Sequence, residues 1–479
     1  MPTCQSGKAL PPRPVRRVRQ FLSVLLVTSV LCSGQVIAAD DTRDAERERY
    51  ELMALFVETF QQIEYNYVRE VDRRELMEAA IQGMLNHLDQ YSSFIPPQDV
   101  NRFNQMVEQE FGGIGITVNV RQGQLIVVSP LPGTPAYRAG LRAGDVILEV
   151  EGETMEGASI TDAVKKLQGP VGRPVNVRVQ HPGDDSDPES IRMIREVIKA
   201  PTVLGYQYND QDEWNFMYDS DAKIGYIRMA HFSRYTAEEL RSALDKLSEQ
   251  KFRGLVLDLR FNPGGLLEAA IEIADMFLNE GTIVSVKGRN VPERKWTAKR
   301  SGTYPDFPLA VIINGYSASA SEVLSACLQD NHRAVIIGER SWGKGSVQNV
   351  IRTEDGDSAL KLTTAGYHRP SGANIDRYTE GRSDDQWGVM PDEGYVIPFD
   401  RKQWSAWDRD RRSRDILRRA GDAPEKSADD GGTDTEPFTD TQLLAAVTYI
   451  SEKLSAPAAP AETASKPQPA AASPEGGRP

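Results

Sequence analysis

Three short segments of this 479-residue chain combine residue types that can do chemistry. Asn314-Gly315-Tyr316-Ser317-Ala318-Ser319-Ala320-Ser321-Glu322 alternates serine with alanine where a strand-like run, Leu309 to Ile313, gives way to a helical one, Ser321 to Leu328. Small side chains let a substrate backbone approach. A helix start offers unpaired N–H groups and the positive end of a dipole to a developing oxyanion. The plainer use of the same residues is capping, since Ser317, Ser319 and Ser321 are all good N-caps. Serine needs a base to become a nucleophile. Of the five histidines, His87, His181, His231, His332 and His368, none lies in a glycine-flanked turn after a strand. Lys344 does, in Gly343-Lys344-Gly345-Ser346-Val347-Gln348. Lysine serves as a base when burial and apolar neighbours depress its pKa; the bland alternative is a solvated loop lysine. The third segment, Asp258-Leu259-Arg260-Phe261-Asn262-Pro263-Gly264-Gly265-Leu266, ends a buried strand in a Pro-Gly-Gly turn. All three follow strands, and open α/β sheets place ligands at the C-terminal ends of their strands.

Gly338-Glu339-Arg340-Ser341-Trp342-Gly343-Lys344 also fits the first seven places of a phosphate-binding loop. The eighth place requires Ser or Thr for magnesium and holds Gly345, and Ser346 to Ile351 reads as a strand where such a loop needs a helix.

The elements that must position these segments are strands alternating with helices. Ile224 to Met229, Gly254 to Leu259, Leu309 to Asn314 and Ala334 to Gly338 read as buried strands. Ala237 to Glu249 and Leu267 to Phe277 read as helices between them. This alternation predicts an α/β core with parallel strands. Upstream, Leu52, Leu55, Phe56, Thr59, Phe60 and Ile63, then Leu76, Ala79, Ala80, Met84 and Leu88, recur at helical spacing. A third helix follows Ile95-Pro96-Pro97, around Val100 to Val107. The expected organisation is a multidomain α/β and α+β chain: a leader at 1–39, a helical region at 40–110, a compact module at 111–200, the α/β core at 201–400, a charged helical region at 401–454 and a disordered Ala/Pro-rich tail at 455–479. Leu443 to Leu454 is the clearest helix of the C-terminal part.

Composition narrows the function. The formal charge of −13 argues against nucleic acid as the main partner. Arg13, Arg16, Arg17 and Arg19, the apolar run Phe21 to Cys32 and the small residues of Gly34-Gln35-Val36-Ile37-Ala38-Ala39 form the layout of a secretory signal peptide. The run is short for a membrane span, and Leu31 stands where a lipidated Cys32 would want a small neighbour. Removing 1–39 takes away five positive charges and no negative ones, so the formal charge falls from −13 to −18. Cys4 and Cys32 leave with the leader, and the remaining Cys327, beside Leu324, Ala326 and Leu328, reads as a buried structural thiol. The expected location is the periplasm, with inner-membrane association left open.

Residues 111–200 carry a recognisable order of elements. Phe111-Gly112-Gly113-Ile114-Gly115-Ile116 runs into a strand, and Leu125 to Val128 is another. Thr134-Pro135-Ala136 starts a short helix; Asp145 to Val150 is a strand; Ile160, Val164 and Leu167 mark a helix face; Val175 to Val179 alternates. With Ala139-Gly140-Leu141-Arg142-Ala143-Gly144-Asp145-Val146-Ile147, this resembles a PDZ domain. The resemblance implies that Gly113, Ile114, Gly115 and Ile116 present backbone N–H groups to a peptide's terminal carboxylate.

The three chemical segments together resemble the carboxyl-terminal processing peptidases, or tail-specific proteases, over about Tyr50 to Pro398, including Leu88-Asp89-Gln90-Tyr91-Ser92 and Pro391-Asp392. The resemblance implies a serine-peptidase core of the crotonase/ClpP-like kind with an inserted PDZ domain. It implies Ser319 as nucleophile, Lys344 as general base and Gln348 as the residue orienting the lysine. The Ala320 N–H would be one oxyanion donor and Gly264 or Gly265 the other; Glu322 matches a family glutamate without an assigned role. No metal or cofactor is implied. The expected partners are protein substrates with free apolar C-termini, with an adaptor protein and homo-oligomerisation left open. The competing class is a non-catalytic PDZ adaptor on an inactive protease fold.

Overall fold

A computed structural model describes residues 33–108, 110–182, 187–304, 307–353, 356–378, 387–417 and 438–456. Residues 1–32 of the expected leader and 457–479 of the expected tail lie outside them. The chain divides into two compact units, residues 1–81 and 82–479. The first holds α1 (Ser33–Asn66) and the start of α2 (Arg73–Leu88). Leu52, Leu55 and Ile63 of α1 are exposed. Among the described residues no helix is long and apolar enough to cross a membrane.

In the second unit β1 (Ser93–Ile95) and α3 (Pro97–Glu108) lead into the PDZ module. Its neck is antiparallel: β2 (Glu110–Gly113) enters beside β8 (Glu196–Lys199), which leaves. Between them stand β3 (Ile116–Arg121), β4 (Gln124–Pro130), α4 (Pro135–Arg138), β5 (Val146–Val150), α5 (Ile160–Leu167), β6 (Pro174–Gln180) and β7 (Glu189–Ile194). The sheet runs β3-β4-β5-β6-β7, which leaves β3 at an edge. Alternation builds the core: Val175, Val177 and Val179 of β6 are buried, and Asn176 and Arg178 between them are exposed. Ser159 starts α5 by accepting from the Asp162 N–H, and Ala163 and Leu167 face inward.

The α/β core follows the predicted alternation. β9 (Val203–Leu204) and β10 (Met217–Asp219) pair antiparallel with β11 (Ile224–Met229). β11, β12 (Gly254–Asp258), β15 (Leu309–Ile313) and β16 (Val335–Gly338) run parallel, connected by α6 (Thr236–Glu249), α7 (Leu267–Asp275) and α8 (Ala320–Asp330). A second, antiparallel sheet joins β1, β13 (Thr282–Lys287), β14 (Arg294–Thr297), β17 (Ser346–Arg352) and β18 (Ala359–His368). α9 (Arg401–Asp415) and α10 (Thr441–Ser455) complete the order.

The period-2 geometry of the parallel strands splits their apolar residues between two layers. Leu255, Leu257, Val311 and Ile313 face Leu240, Leu244, Ile273 and Leu324 of the connecting helices. Val256, Ala310, Ile312 and Ile337 face the other way, against Leu443, Ala446 and Ile450 of α10. Strands buried on both faces read as continuous hydrophobic runs, which is how these read. The helix set apart by sequence as part of a C-terminal region is therefore the second cover of the sheet. It lies so close that a Cβ on Gly254 would stand 2.3 Å from Ile450 Cγ2.

Candidate active site

The β15–α8 turn separates the three serines by what their hydroxyls do. Ser317 Oγ donates to Leu259 C=O at 2.8 Å, and Ser321 Oγ donates to Asn262 C=O at 2.9 Å. Both tie the turn to the Asp258–Leu266 segment after β12. Ser319 Oγ donates to no backbone carbonyl among the described residues; it faces the Glu322 N–H of its own helix turn and the Tyr367 hydroxyl, the latter at 3.5 Å. Its backbone has φ 56° and ψ −114°, a costly conformation for a residue with a Cβ. Such a turn persists where its surroundings enforce it, and here Glu322 does so. Its carboxylate accepts from the Ser319 N–H at 2.8 Å, the Gly343 N–H at 2.6 Å, the Lys344 N–H at 2.8 Å and the Ser341 hydroxyl. Glu322 is fully buried; burial pushes its carboxyl up, and the four donors oppose that rise. One carboxylate thus joins the serine turn to the lysine loop.

The Asn-Pro-Gly-Gly turn closes on the same point. The Gly264 N–H is already bonded to Asn262 Oδ1 at 2.9 Å. Among the described residues the N–H groups of Gly265 and Ala320 have no acceptor. Gly264 has φ +99°, and a Cβ there would lie 2.8 Å from Ser319 Cβ and 2.9 Å from the Ala320 nitrogen, so only glycine lets this turn lie against the serine. The turn is anchored from below by a buried pair: Arg260 Nε donates to Asp258 Oδ1 at 3.0 Å and Tyr226 OH to Asp258 Oδ2 at 2.7 Å. Burial pushes Asp258 up, but the guanidinium beside it and these hydrogen bonds hold it below the usual carboxylate range. Arg260 reaches on to Asp440 and Gln442 at the start of α10.

Lys344 lies between β16 and β17. Burial lowers its pKa and Lys361 lowers it further, against Glu322, Asp89 and Asp376. Its ammonium stands over the Tyr91 ring, 4.8 Å from the centroid. Gln348 Nε2 donates to Ser346 Oγ at 2.9 Å and to Thr363 Oγ1 at 3.1 Å. No hydrogen bond joins Lys344 Nζ to Ser319 or to Gln348 among the described residues; what brings the serine and lysine segments together is the Glu322 carboxylate, which holds the backbone N–H groups of both. A strand, β17, follows Gly345, which removes the helix a phosphate-binding loop would need.

The glycines named for tail binding sit differently. Gly113, Ile114 and Gly115 are buried, with Ile114 in the PDZ core and the Gly115 Cα face covered by Thr134. The cavity alongside is lined by Phe111, Gly112, Ile160 and Val164. Leu167, grouped with Ile160 and Val164 on one helix face by spacing, points into the PDZ core. Cys327 is buried, and burial raises its thiol to about 12.

Sequence reasoning missed the contacts of Tyr367 with Ser319 and of Tyr91 with Lys344. Tyr91 stands in the Leu88–Ser92 string that the resemblance picked out, which was the available signal. Tyr367 lies 48 residues beyond Ser319 and had no local signature.

Residues 223–394 match the model of peptidase family S41, residues 126–181 that of the PDZ domain, and residues 27–98 that of the activating protease CtpB N-terminal domain. A carboxy-terminal-processing protease of Bartonella bacilliformis is 37% identical over 366 residues, covering 75% of this chain and 80% of that one. The carboxy-terminal processing protease CtpB of Bacillus subtilis is 34% identical, covering 71% and 68%. A carboxyl-terminal-processing protease of Synechocystis is 33% identical, covering 69% and 74%. With its parallel core, its PDZ module and these relatives, the chain belongs to the carboxy-terminal processing protease family, peptidase family S41.

Proposed function

We propose that this chain is an exported serine endopeptidase with Ser319 as nucleophile and Lys344 as general base, which selects substrates by an apolar C-terminal tail bound to its PDZ module. The observation that carries the reading is the division of labour among the serines. Ser317 and Ser321 commit their hydroxyls to backbone carbonyls, whereas the Ser319 hydroxyl donates to none and stands in a strained turn beside two unpaired N–H groups. The half-buried lysine on the adjoining loop, with its lowered pKa, supports it.

The chemistry is acyl transfer. Neutral Lys344 takes the Ser319 proton as Oγ attacks the scissile carbonyl carbon. The N–H groups of Ala320 and Gly265 hold the oxyanion; Gly264 is the weaker choice because its N–H already serves Asn262. The C–N bond breaks, the protonated lysine gives its proton to the departing amine, and an acyl-enzyme remains. Water, deprotonated by the same lysine, releases it. Gln348 orients the lysine through its Oε1, the acceptor left over while its Nε2 is held by Ser346 and Thr363. Ser319→Ala and Lys344→Ala each abolish peptide cleavage with melting unchanged, while Ser317→Ala keeps more activity. The wild-type rate rises between pH 6 and roughly 9, because a lysine with a lowered pKa works only when neutral. Near-normal cleavage by either dyad variant, or a rate falling over that range, contradicts the assignment.

Tail recognition rests on β3, a strand at the sheet edge, and on the cavity between Phe111 and α5, where Phe111, Ile160 and Val164 stand beside Arg102, Gln105 and Lys165. An extended peptide adding to that edge keeps its terminal carboxylate near the glycine-rich entry of Gly113 to Ile116, with its side chains against Ile160 and Val164. Peptides ending in alanine or valine compete with substrate, and the same peptides ending in Asp or Glu do so at least tenfold less well; equal competition counts against the groove.

Export rests on the leader of basic, apolar and small residues at 1–39. Fractionation of the host recovers the protein beyond the inner membrane, in the periplasm where there are two membranes. An unprocessed N-terminus in the cytoplasm overturns this.

A further inference from the structure

Both reacting side chains of the proposed dyad are occupied by tyrosines. Ser319 Oγ meets Tyr367 OH, and the Lys344 ammonium lies over the Tyr91 face. Tyr91 is held in place from three sides. Its N–H donates to Asp89 Oδ1 at 2.7 Å, and its hydroxyl accepts from Trp342 Nε1 at 3.3 Å. The turn it stands on is clamped by Ser92, whose Oγ donates to Asp89 Oδ2 at 2.9 Å and accepts from the Thr363 N–H at 3.1 Å. Thr363 also accepts from Gln348, so one residue of β18 fixes both the tyrosine turn and the amide expected to steer the lysine.

We propose that Tyr91 is the positioning residue of the general base: its ring face seats the protonated Lys344 beside the nucleophile rather than on it. The inference rests on Lys344 being the base. An aromatic face attracts an ammonium and has little hold on a neutral amine. The charged lysine therefore stays on the ring. Losing its proton releases it toward Ser319 Oγ, where only the neutral form can act. The other charged groups facing Lys344 are Glu322 on α8, Asp89 on the tyrosine turn, Asp376 on the following loop and Lys361 on β18. The three carboxylates favour the ammonium along with the ring, and Lys361 and burial oppose it. The ring thus sets the pH at which the resting enzyme acquires its base, and it does so without touching substrate.

The test is the pH profile of kcat/KM, which reports the free enzyme. It uses the full chain and a fluorogenic peptide ending in three alanines with a free carboxylate. Tyr91→Leu removes the ring's hold on the charged form. Its acidic limb shifts to lower pH by about 0.5 to 1 unit, and cleavage at pH 6 rises several-fold. Tyr91→Phe keeps the ring, loses the hydroxyl's contacts to Trp342 and Gln90, and leaves the limb in place. Tyr91→Met gives the same shift as Leu and replaces it if the Leu variant melts early. A limb that stays put in the Leu and Met variants, or that moves equally in Tyr91→Phe, overturns the proposal while Lys344→Ala remains inactive. An active Lys344→Ala removes the base reading itself, and this inference with it.

Discussion

The buried carboxylate of Glu322 is the constraint on which the site depends. Placing an ionised carboxylate out of water costs several kcal/mol unless its lone pairs are filled. Here three backbone N–H groups and a hydroxyl fill them. Those donors come from two separate stretches, the serine turn before α8 and the loop between β16 and β17. The group that stabilises the charge therefore also ties the Ser319 turn to the Lys344 loop. Glu322 stands in the first turn of α8, where the helix dipole favours a negative charge. It also compensates the strained backbone of Ser319, whose N–H it holds.

The rest of the core keeps this junction in register. β12 and β15 are parallel neighbours, so their ends deliver the Asn-Pro-Gly-Gly turn and the serine turn side by side. The Asp258–Arg260 pair lies directly under the first of these turns, and Arg260 extends it to the start of α10. α10 is therefore tied to the site twice, through the apolar layer it covers and through that guanidinium. The PDZ module is joined to the core through its two-stranded neck and through Tyr235 to Glu110, Tyr137 to Asp212 and the Leu417 N–H to Ser129.

Much of this was legible in sequence because it depends on residue types with few alternatives. Continuous apolar runs announced strands buried on both faces. Gly264 and Gly343 lie where a Cβ would collide with a neighbouring segment. The serine and lysine strings were visible as strings. What spacing could not supply was which partner each group meets. α10 showed an apolar face but not the sheet it covers. Leu167 shares a helical stripe with Ile160 and Val164, yet α5 is narrow enough for that stripe to divide between groove and core. Gly264 and Gly265 are equivalent by composition and differ only because Asn262 folds back onto one of them. Tyr91 and Tyr367 reach the site by long-range strand pairing, to which a local window is blind.

The most direct measurement of the account is the rate at which a fluorophosphonate labels Ser319 in Glu322→Gln, followed by mass spectrometry of the labelled peptide. Glutamine has the same shape but only one acceptor oxygen, and its amide N–H group faces backbone donors. The serine turn and the lysine loop then lose their common anchor. The account predicts labelling slowed by roughly tenfold or more, at least about 1.4 kcal/mol of activation free energy, in a protein whose PDZ module and sheet still melt cooperatively. Labelling of the folded variant at the wild-type rate would contradict it.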